Sequence, residues 1–124
     1  MTDAQKENQK KNLIKLNLMT ESDTLVDCLQ ASLYERILGP LGTWQQGWIY
    51  FTDKAMVYPG GVLREHIVIP YKDITALAPC TQFLLPLGIA VTYKGADGAE
   101  KTQKFSMMGR GTWLAFLEEK RANA

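Results

Sequence analysis

The chain has 124 residues, of which 46% are hydrophobic and 22% are charged, and its formal net charge is +1. This length suits one domain, and the composition is that of a globular protein rather than a disordered one. A nearly neutral chain lacks the surplus of cations that sequence-independent binding of nucleic acid requires, so we expect no nucleic-acid partner.

The chain offers few groups for catalysis or metal binding, since it has one histidine and two cysteines. Cys28 and Cys80 are far apart and form neither a CxxC pair nor a zinc-ligand spacing, so we expect both to be buried and reduced. His66 stands alone beside an apolar run, which favours a strand residue over a base or a ligand. We therefore expect a protein that is not an enzyme, with no cofactor and no metal site.

Residues 1–22 are predicted as an N-terminal arm or weak helix, ahead of a domain over residues 23–124. Leu13 and Leu16 fit a helical spacing, whereas Leu16 and Leu18 alternate as they would in a strand. The start of the chain is polar where a signal sequence would be apolar, and no stretch approaches the ~20 apolar residues that span a bilayer. We expect a cytoplasmic protein, with peripheral membrane association left open.

Seven short β-prone runs follow, separated by turn residues. Gly and Pro punctuate the chain at 39–42 and 59–61, and Asp97-Gly98 is typical of a hairpin turn with positive φ. Strands at such short spacing, with no helices between them, exclude a parallel βαβ sheet. The predicted strands cover residues 25–36, 47–52, 55–58, 66–71, 74–80, 87–94 and 101–107.

The last segment is predicted as a helix, with Thr112 as its N-cap. Trp113, Phe116 and Leu117 fall on one helical face. A small antiparallel sheet has to protect its edges and cover its apolar face, and curling into a partly open barrel does both. We predict that Trp113 closes one open end of that barrel.

Several segments resemble GRAM domains and bacterial domains like the pleckstrin-homology (PH) fold. The run FTDKAMVY at 51–58 resembles the first conserved hairpin of that family, and IPYKDI at 69–74 is similar to the segment that follows it. GIAV at 88–91, the Asp97-Gly98 turn and Trp113 look like the family's final hairpin and helix. The likeness covers roughly residues 24–121.

The resemblance implies a mainly β protein, with a PH-like bent antiparallel barrel of about seven strands capped by a C-terminal α-helix. It also implies a non-enzymatic role in binding lipid head groups, membranes or proteins. Arg36 is the only cation between Tyr34 and Gly47. Because a phosphate-rich head group needs several charge-assisted hydrogen bonds, this composition argues against specific phosphoinositide recognition there.

The candidate contact site is an apolar segment between the first two predicted strands. Loops are usually polar, so large aliphatic side chains and a Trp there indicate a membrane or partner contact. The alternatives are that the segment folds back on the barrel or belongs to longer strands. A second apolar connection at 83–87 would join the first in one patch if the two are adjacent, and a buried strand is its alternative. The candidate contact residues are Arg36, Ile37, Leu38, Leu41, Trp44 and Phe83.

Two functional hypotheses follow from these patterns. The first is a binding module that acts at a membrane surface or on a protein partner through its apolar loops. The alternative is a structural or interaction subunit that forms a homo-oligomer or joins a larger assembly.

Overall fold

The computed structural model describes the backbone of residues 2–38, 41–60, 66–82 and 84–124, and the side chains of the same residues except 36–38 and 41. These ranges form two α-helices, a single 3-10 turn and seven strands. The helices are α1 (Asp3–Lys15) and α2 (Arg110–Ala122), and the strands are β1 (Leu25–Leu38), β2 (Leu41–Thr52), β3 (Ala55–Tyr58), β4 (Ile67–Pro70), β5 (Ile74–Gln82), β6 (Leu85–Lys94) and β7 (Glu100–Ser106).

All seven strands belong to one antiparallel sheet, in the order β4-β3-β2-β1-β7-β6-β5. The two edge strands, β4 and β5, are consecutive in the chain and are joined only by the 3-10 turn Tyr71–Asp73. A three-residue connection cannot bridge a flat seven-stranded sheet, since each strand spacing is about 4.8 Å. The sheet must therefore curl until its edges approach one another, and the predicted bent barrel with a C-terminal helix is confirmed.

The main core lies inside the curl and beneath α2. Leu33, Ile49, Phe51, Ile89 and Phe105 are each fully excluded from solvent there. They come from β1, β2, β6 and β7, so the interior ties both halves of the sheet together. The helical face that the sequence predicts also packs on this core, through Leu117 and, in part, Trp113 and Phe116.

A second, smaller core lies on the outer face of the sheet. Helix α1 and the segment after it place Leu13, Leu18 and Met19 against Tyr50 and Val57. The Tyr50 hydroxyl donates a hydrogen bond to Gln9 Oε1 at 3.0 Å. The N-terminal segment is thus a helix that covers β2 and β3 from outside, which explains why all four residues of β3 are buried.

Four local predictions differ from the structure. The N-cap of α2 is Gly109, at φ 74°, rather than Thr112, which lies inside the helix. In the β6–β7 turn only Gly98 has a positive φ, of 80°, and its N–H donates to the carbonyl of Gly95 at 2.9 Å, so the turn is not a two-residue primed turn. Both cysteines are free but only half-buried. His66 is exposed and directly precedes β4 instead of belonging to it.

Candidate functional site

The β1–β2 hairpin pairs with the strands on either side of it only near its base. β1 has 14 residues and β2 has 12, and the two strands pair at twelve positions. On one side β1 pairs with β7 only at Ser32 and Leu33. On the other side β2 pairs with β3 only at Tyr50 and Phe51. In the ranges that the structure describes, the distal half of the hairpin is therefore a two-stranded ribbon.

Most of the predicted contact residues belong to this ribbon. Arg36 pairs with Gly42, and Leu38 pairs with Leu41, so the apolar segment forms longer strands, as one alternative predicted. The side chains of Arg36, Ile37, Leu38 and Leu41 lie outside the described part of the structure, and so does Phe83. Their role as contact residues stays a prediction.

Trp44 has a described side chain, and it packs across the ribbon. Its ring meets the ring of Tyr34 in an edge-to-face arrangement, with 5.3 Å between the ring centroids. The ammonium group of Lys104 lies 5.8 Å from the Tyr34 ring centroid and approaches it from β7. A Cβ atom at Gly42 would collide with the Tyr34 ring, so any larger residue at this position would have to displace that ring. Sequence reasoning missed Tyr34, although cross-strand register with Trp44 could have suggested the pair.

The turn between β5 and β6 lies at the opposite end of the sheet from the tip of this hairpin. Ser32 pairs with Ser106, and Ser106 also pairs with Gly88. Starting from Ser32, β1 continues toward the hairpin tip. Starting from Gly88, β6 leads back in the opposite direction to its first residue, Leu85. Leu84 and Leu85 therefore do not share a patch with the β1–β2 tip. They are exposed, which contrasts with the alternative of a buried strand at 83–87.

The two segments that carry the family resemblance meet at the β2–β3 turn. Thr52 Oγ1 accepts hydrogen bonds from the backbone N–H groups of Lys54, at 3.1 Å, and Ala55, at 3.0 Å. The Tyr71 hydroxyl donates to the carbonyl of Thr52 at 2.8 Å, and burial, reinforced by the charge of Asp53, raises the pKa of Tyr71. These residues therefore hold the turn and the 3-10 segment together.

A hollow of about 480 Å³ lies beside this turn and the end of α2. Lys54 and Lys72 border it, and Tyr71 contributes to its wall. Lys54 forms an ion pair of 3.0 Å with Asp23, and this contact raises the pKa of Lys54. The backbone N–H of Thr20 is the largest cause that lowers the pKa of Asp23, with Lys54 contributing further.

The described residues provide little for nucleophilic or metal chemistry. Burial is the main cause that raises the pKa of both Cys28 and Cys80, so the thiol form is favoured over the reactive thiolate. Within those same residues, no three His, Cys, Asp or Glu side chains cluster closely enough to hold a metal ion. None of the helices in the described ranges has the length and apolar character that crossing a bilayer requires.

Solved structures with this arrangement of strands identify the fold. The C-terminal domain of an unknown protein from Leishmania infantum aligns with a TM-score of 0.65 at 16% identity, covering 94% of this chain and 96% of that one. The Vps36 N-terminal PH domain aligns with a TM-score of 0.60 at 17% identity, covering 86% and 84%. The chain has a PH-like fold.

A third similar structure is the N-terminal PH domain of human ARAP2, with a TM-score of 0.54, 14% identity, and coverage of 78% of this chain and 79% of that domain. No family model and no curated protein matches the sequence. At these identities, the similarity to the solved structures shows only that the chain shares the PH-like architecture.

Proposed function

We propose that this chain is a non-enzymatic PH-like binding module that acts at a membrane surface or on a protein partner, with the β1–β2 hairpin as its contact region. The observation that carries the proposal is that, among the described residues, the outer half of this hairpin pairs with neither β7 nor β3. Glu35 is buried and the Tyr58 hydroxyl donates to the carbonyl of Gln45 at 3.5 Å, so these contacts anchor the inner part of the ribbon. The strand pairing continues beyond them to Leu38 and Leu41. Contact with another surface would account for this continuation.

The ribbon has two features that suit recognition. The Tyr34–Trp44 ring contact stiffens it, so less conformational entropy is lost on binding. Its outer strand edges present backbone N–H and C=O groups that a partner strand can pair with. Aromatic side chains are also enriched in the buried centres of interfaces.

We extend the proposal to the branch of PH-like folds and to the cellular location. We assign the chain to the GRAM branch of PH-like folds, on the strength of the 51–58 and 69–74 segments, and we place its action in the cytoplasm. The contacts of Thr52 and Tyr71 support a structural role for these segments, which leaves the binding role to the hairpin.

Comparing Trp44→Ser with Trp48→Ser tests the proposal, because both residues lie on β2 and Trp48 is already half-exposed. Each variant is assayed for co-sedimentation with vesicles of neutral and anionic lipid and for binding of co-purifying proteins. We expect Trp44→Ser to weaken one of these interactions about tenfold or more, since burying a large side chain contributes ~1.5–3 kcal/mol, and Trp48→Ser to leave it unchanged.

Three outcomes would separate the alternatives. If both variants behave like the wild type in both assays, the hairpin is not the contact region. If light scattering shows a stable oligomer that Trp44→Ser dissociates, the chain is instead a self-assembling subunit. If Trp48→Ser alone is impaired, the contact lies near the base of the hairpin, where Trp48 pairs with Gln30, rather than in its outer half.

A further inference from the structure

A tryptophan on the outer face of the sheet is left uncovered by the helix that packs on this face. Residues two apart on a strand point to the same side, so Trp48 shares the outer face with Tyr50. Tyr50 is buried in the smaller core beneath α1, whereas the side chain of Trp48 is 49% exposed and lies outside that core. The indole ring is therefore open to a ligand.

The indole forms part of a hollow of about 480 Å³, which lies between α1 and the sheet and which we call the Trp48 hollow. This volume is within the range of sites that bind small molecules. The other lining residues are Gln5 and Gln9 of the helix and Asp27, Cys28 and Tyr50 of the sheet. Among these described residues, Asp27 carries the only charge.

The carboxylate of Asp27 has no cationic side chain as a partner in the part of the chain that the structure describes. Its Oδ1 accepts the backbone N–H of Cys28 at 2.8 Å. Lys6 and Lys10, which α1 carries nearby, line a different hollow. The Trp48 hollow therefore holds a negative charge that none of its lining residues neutralises.

A carboxylate beside an exposed aromatic ring suits a guanidinium ion. This ion is planar, so it stacks on a ring, and its parallel N–H groups donate two hydrogen bonds to one carboxylate. A quaternary ammonium ion is instead held by a cage of several aromatic faces, and Tyr50 offers none because it is buried. The amide oxygens of Gln5 and Gln9 already accept hydrogen bonds within the protein, which leaves Asp27 as the main acceptor.

We propose that the Trp48 hollow binds a small molecule that carries a guanidinium group, which stacks on Trp48 and donates to the carboxylate of Asp27. The inference goes beyond the proposed function, because it concerns a small ligand at the outer face rather than a membrane or a protein at the hairpin. The two can fail separately, since Trp44→Ser should leave the binding of the guanidinium group unchanged.

Titration of three amino-acid amides into isotope-labelled protein tests the ligand class, with the indole N–H signals of the three tryptophans as the readout. N-acetyl-L-arginine amide is the probe. N-acetyl-L-citrulline amide is its matched control, because the ureido group has nearly the same shape and no charge, and N-acetyl-L-lysine amide has the charge without the planar group. We expect a saturable shift of the Trp48 signal with the arginine probe, binding about tenfold weaker with lysine, and no shift with citrulline.

Three variants test the residues of the hollow. Asp27→Asn removes the charge and keeps an oxygen for the N–H of Cys28, so we expect an unchanged thermal midpoint and binding of the arginine probe weakened about tenfold to a hundredfold. Glu7→Gln is the matched control, since Glu7 is exposed on α1 and lines a different hollow. Trp48→Leu should weaken binding by about threefold to tenfold, as read from the backbone N–H signals of the hollow.

Several outcomes would overturn the inference. An arginine probe that shifts no indole signal, or that shifts those of Trp44 or Trp113 instead of Trp48, contradicts it. So does equal binding of the arginine and citrulline probes. Equal weakening by Glu7→Gln and Asp27→Asn would show a general attraction of charges rather than a site. If Asp27→Asn does not fold, full binding of the arginine probe by Trp48→Leu would still reject the site.

Discussion

At the residue scale, Thr52 and Tyr71 show why a recognisable motif need not be a binding site. Thr52 is buried, and its hydroxyl also donates to the carbonyl of Ala55 at 3.2 Å, so one side chain completes the hydrogen bonding of the β2–β3 turn. Tyr71 is buried and reaches the same turn from the first position of the 3-10 segment. Buried polar groups need such partners, and the requirement for them fixes these residue types.

Tyr71→Phe should destabilise the protein by about 1–2 kcal/mol at neutral pH, because the carbonyl of Thr52 loses a buried donor. The difference in stability between Tyr71→Phe and the wild type should be smaller at alkaline pH. The folded-state pKa of Tyr71 is raised above the unfolded value of about 10, so its contribution is complete below pH ~10 and is lost as the pH rises through the folded-state pKa.

Urea unfolding of the wild type and of Tyr71→Phe between pH 8 and pH ~11.5 measures this difference. The wild type should lose stability more steeply above pH ~10 than the variant does. Tyr50 has a raised pKa too, but it is present in both proteins and cancels in the comparison. A difference in the free energy of unfolding between the two proteins that stays constant over this pH range would contradict the prediction.

At the element scale, α2 acts through its aromatic side chains. The Trp113 ring stacks on Phe51 with 4.7 Å between centroids and an interplanar angle of 7°, and Phe116 meets both rings edge-on. Leu117 beside them is 1% exposed. The sequence therefore predicted the docking face of this helix correctly, because three apolar residues at helical spacing can be buried together only in one orientation.

Trp113→Ala should reduce the free energy of unfolding by about 3 kcal/mol, near the lower end of the range for large aromatic residues because Trp113 is only partly buried. Since small domains are stable by about 5–15 kcal/mol, this loss should bring the protein close to unfolding. Chemical denaturation checks the value, with Trp48→Ala as the control, for which about 1 kcal/mol or less is expected. An unchanged unfolding midpoint for Trp113→Ala would show that α2 does not depend on this contact.

The β1–β2 hairpin shows the limit of local reasoning at this scale. The Gly and Pro residues at 39–42 predict a break in regular structure, whereas the strands continue to Leu38 and resume at Leu41. Cross-strand pairing over twelve residues supplies hydrogen bonds that no local propensity reports. The candidate contact residues Leu38, Leu41 and Trp44 thus lie in paired strands where the sequence predicts a loop.

At the scale of the whole molecule, α1 decides how both faces of the sheet are used. The runs 49–51 and 55–58 are continuously apolar, a pattern more typical of strands buried on both faces. The curl covers one face of these strands, and Leu13, Leu18 and Met19 cover the other. The helix is otherwise polar, so its own periodicity gave little indication of this packing.

Residues 23–124 should fold without the N-terminal segment but with a free energy of unfolding lower by about 2–4 kcal/mol, because Tyr50 and Val57 become exposed while the interior core stays intact. Denaturation of the truncated chain, with amide spectra to confirm the fold, tests this. Leu16→Asn in the full chain is the control, since Leu16 lies outside the buried cluster. A truncated chain that fails to fold would mean that the two cores are not separable.

The sequence by itself determined the strand-rich composition, most turn positions and the apolar face of α2, since these follow from local backbone preferences and from the periodicity of side chains. Only the tertiary structure decided where α1 packs, how far the β1–β2 hairpin extends and that Leu84 lies opposite the tip of that hairpin. These features depend on contacts between residues distant in sequence. Local propensity reports the environment of neighbouring residues, whereas strand register and helix docking are set by the surfaces that become buried when the whole chain folds.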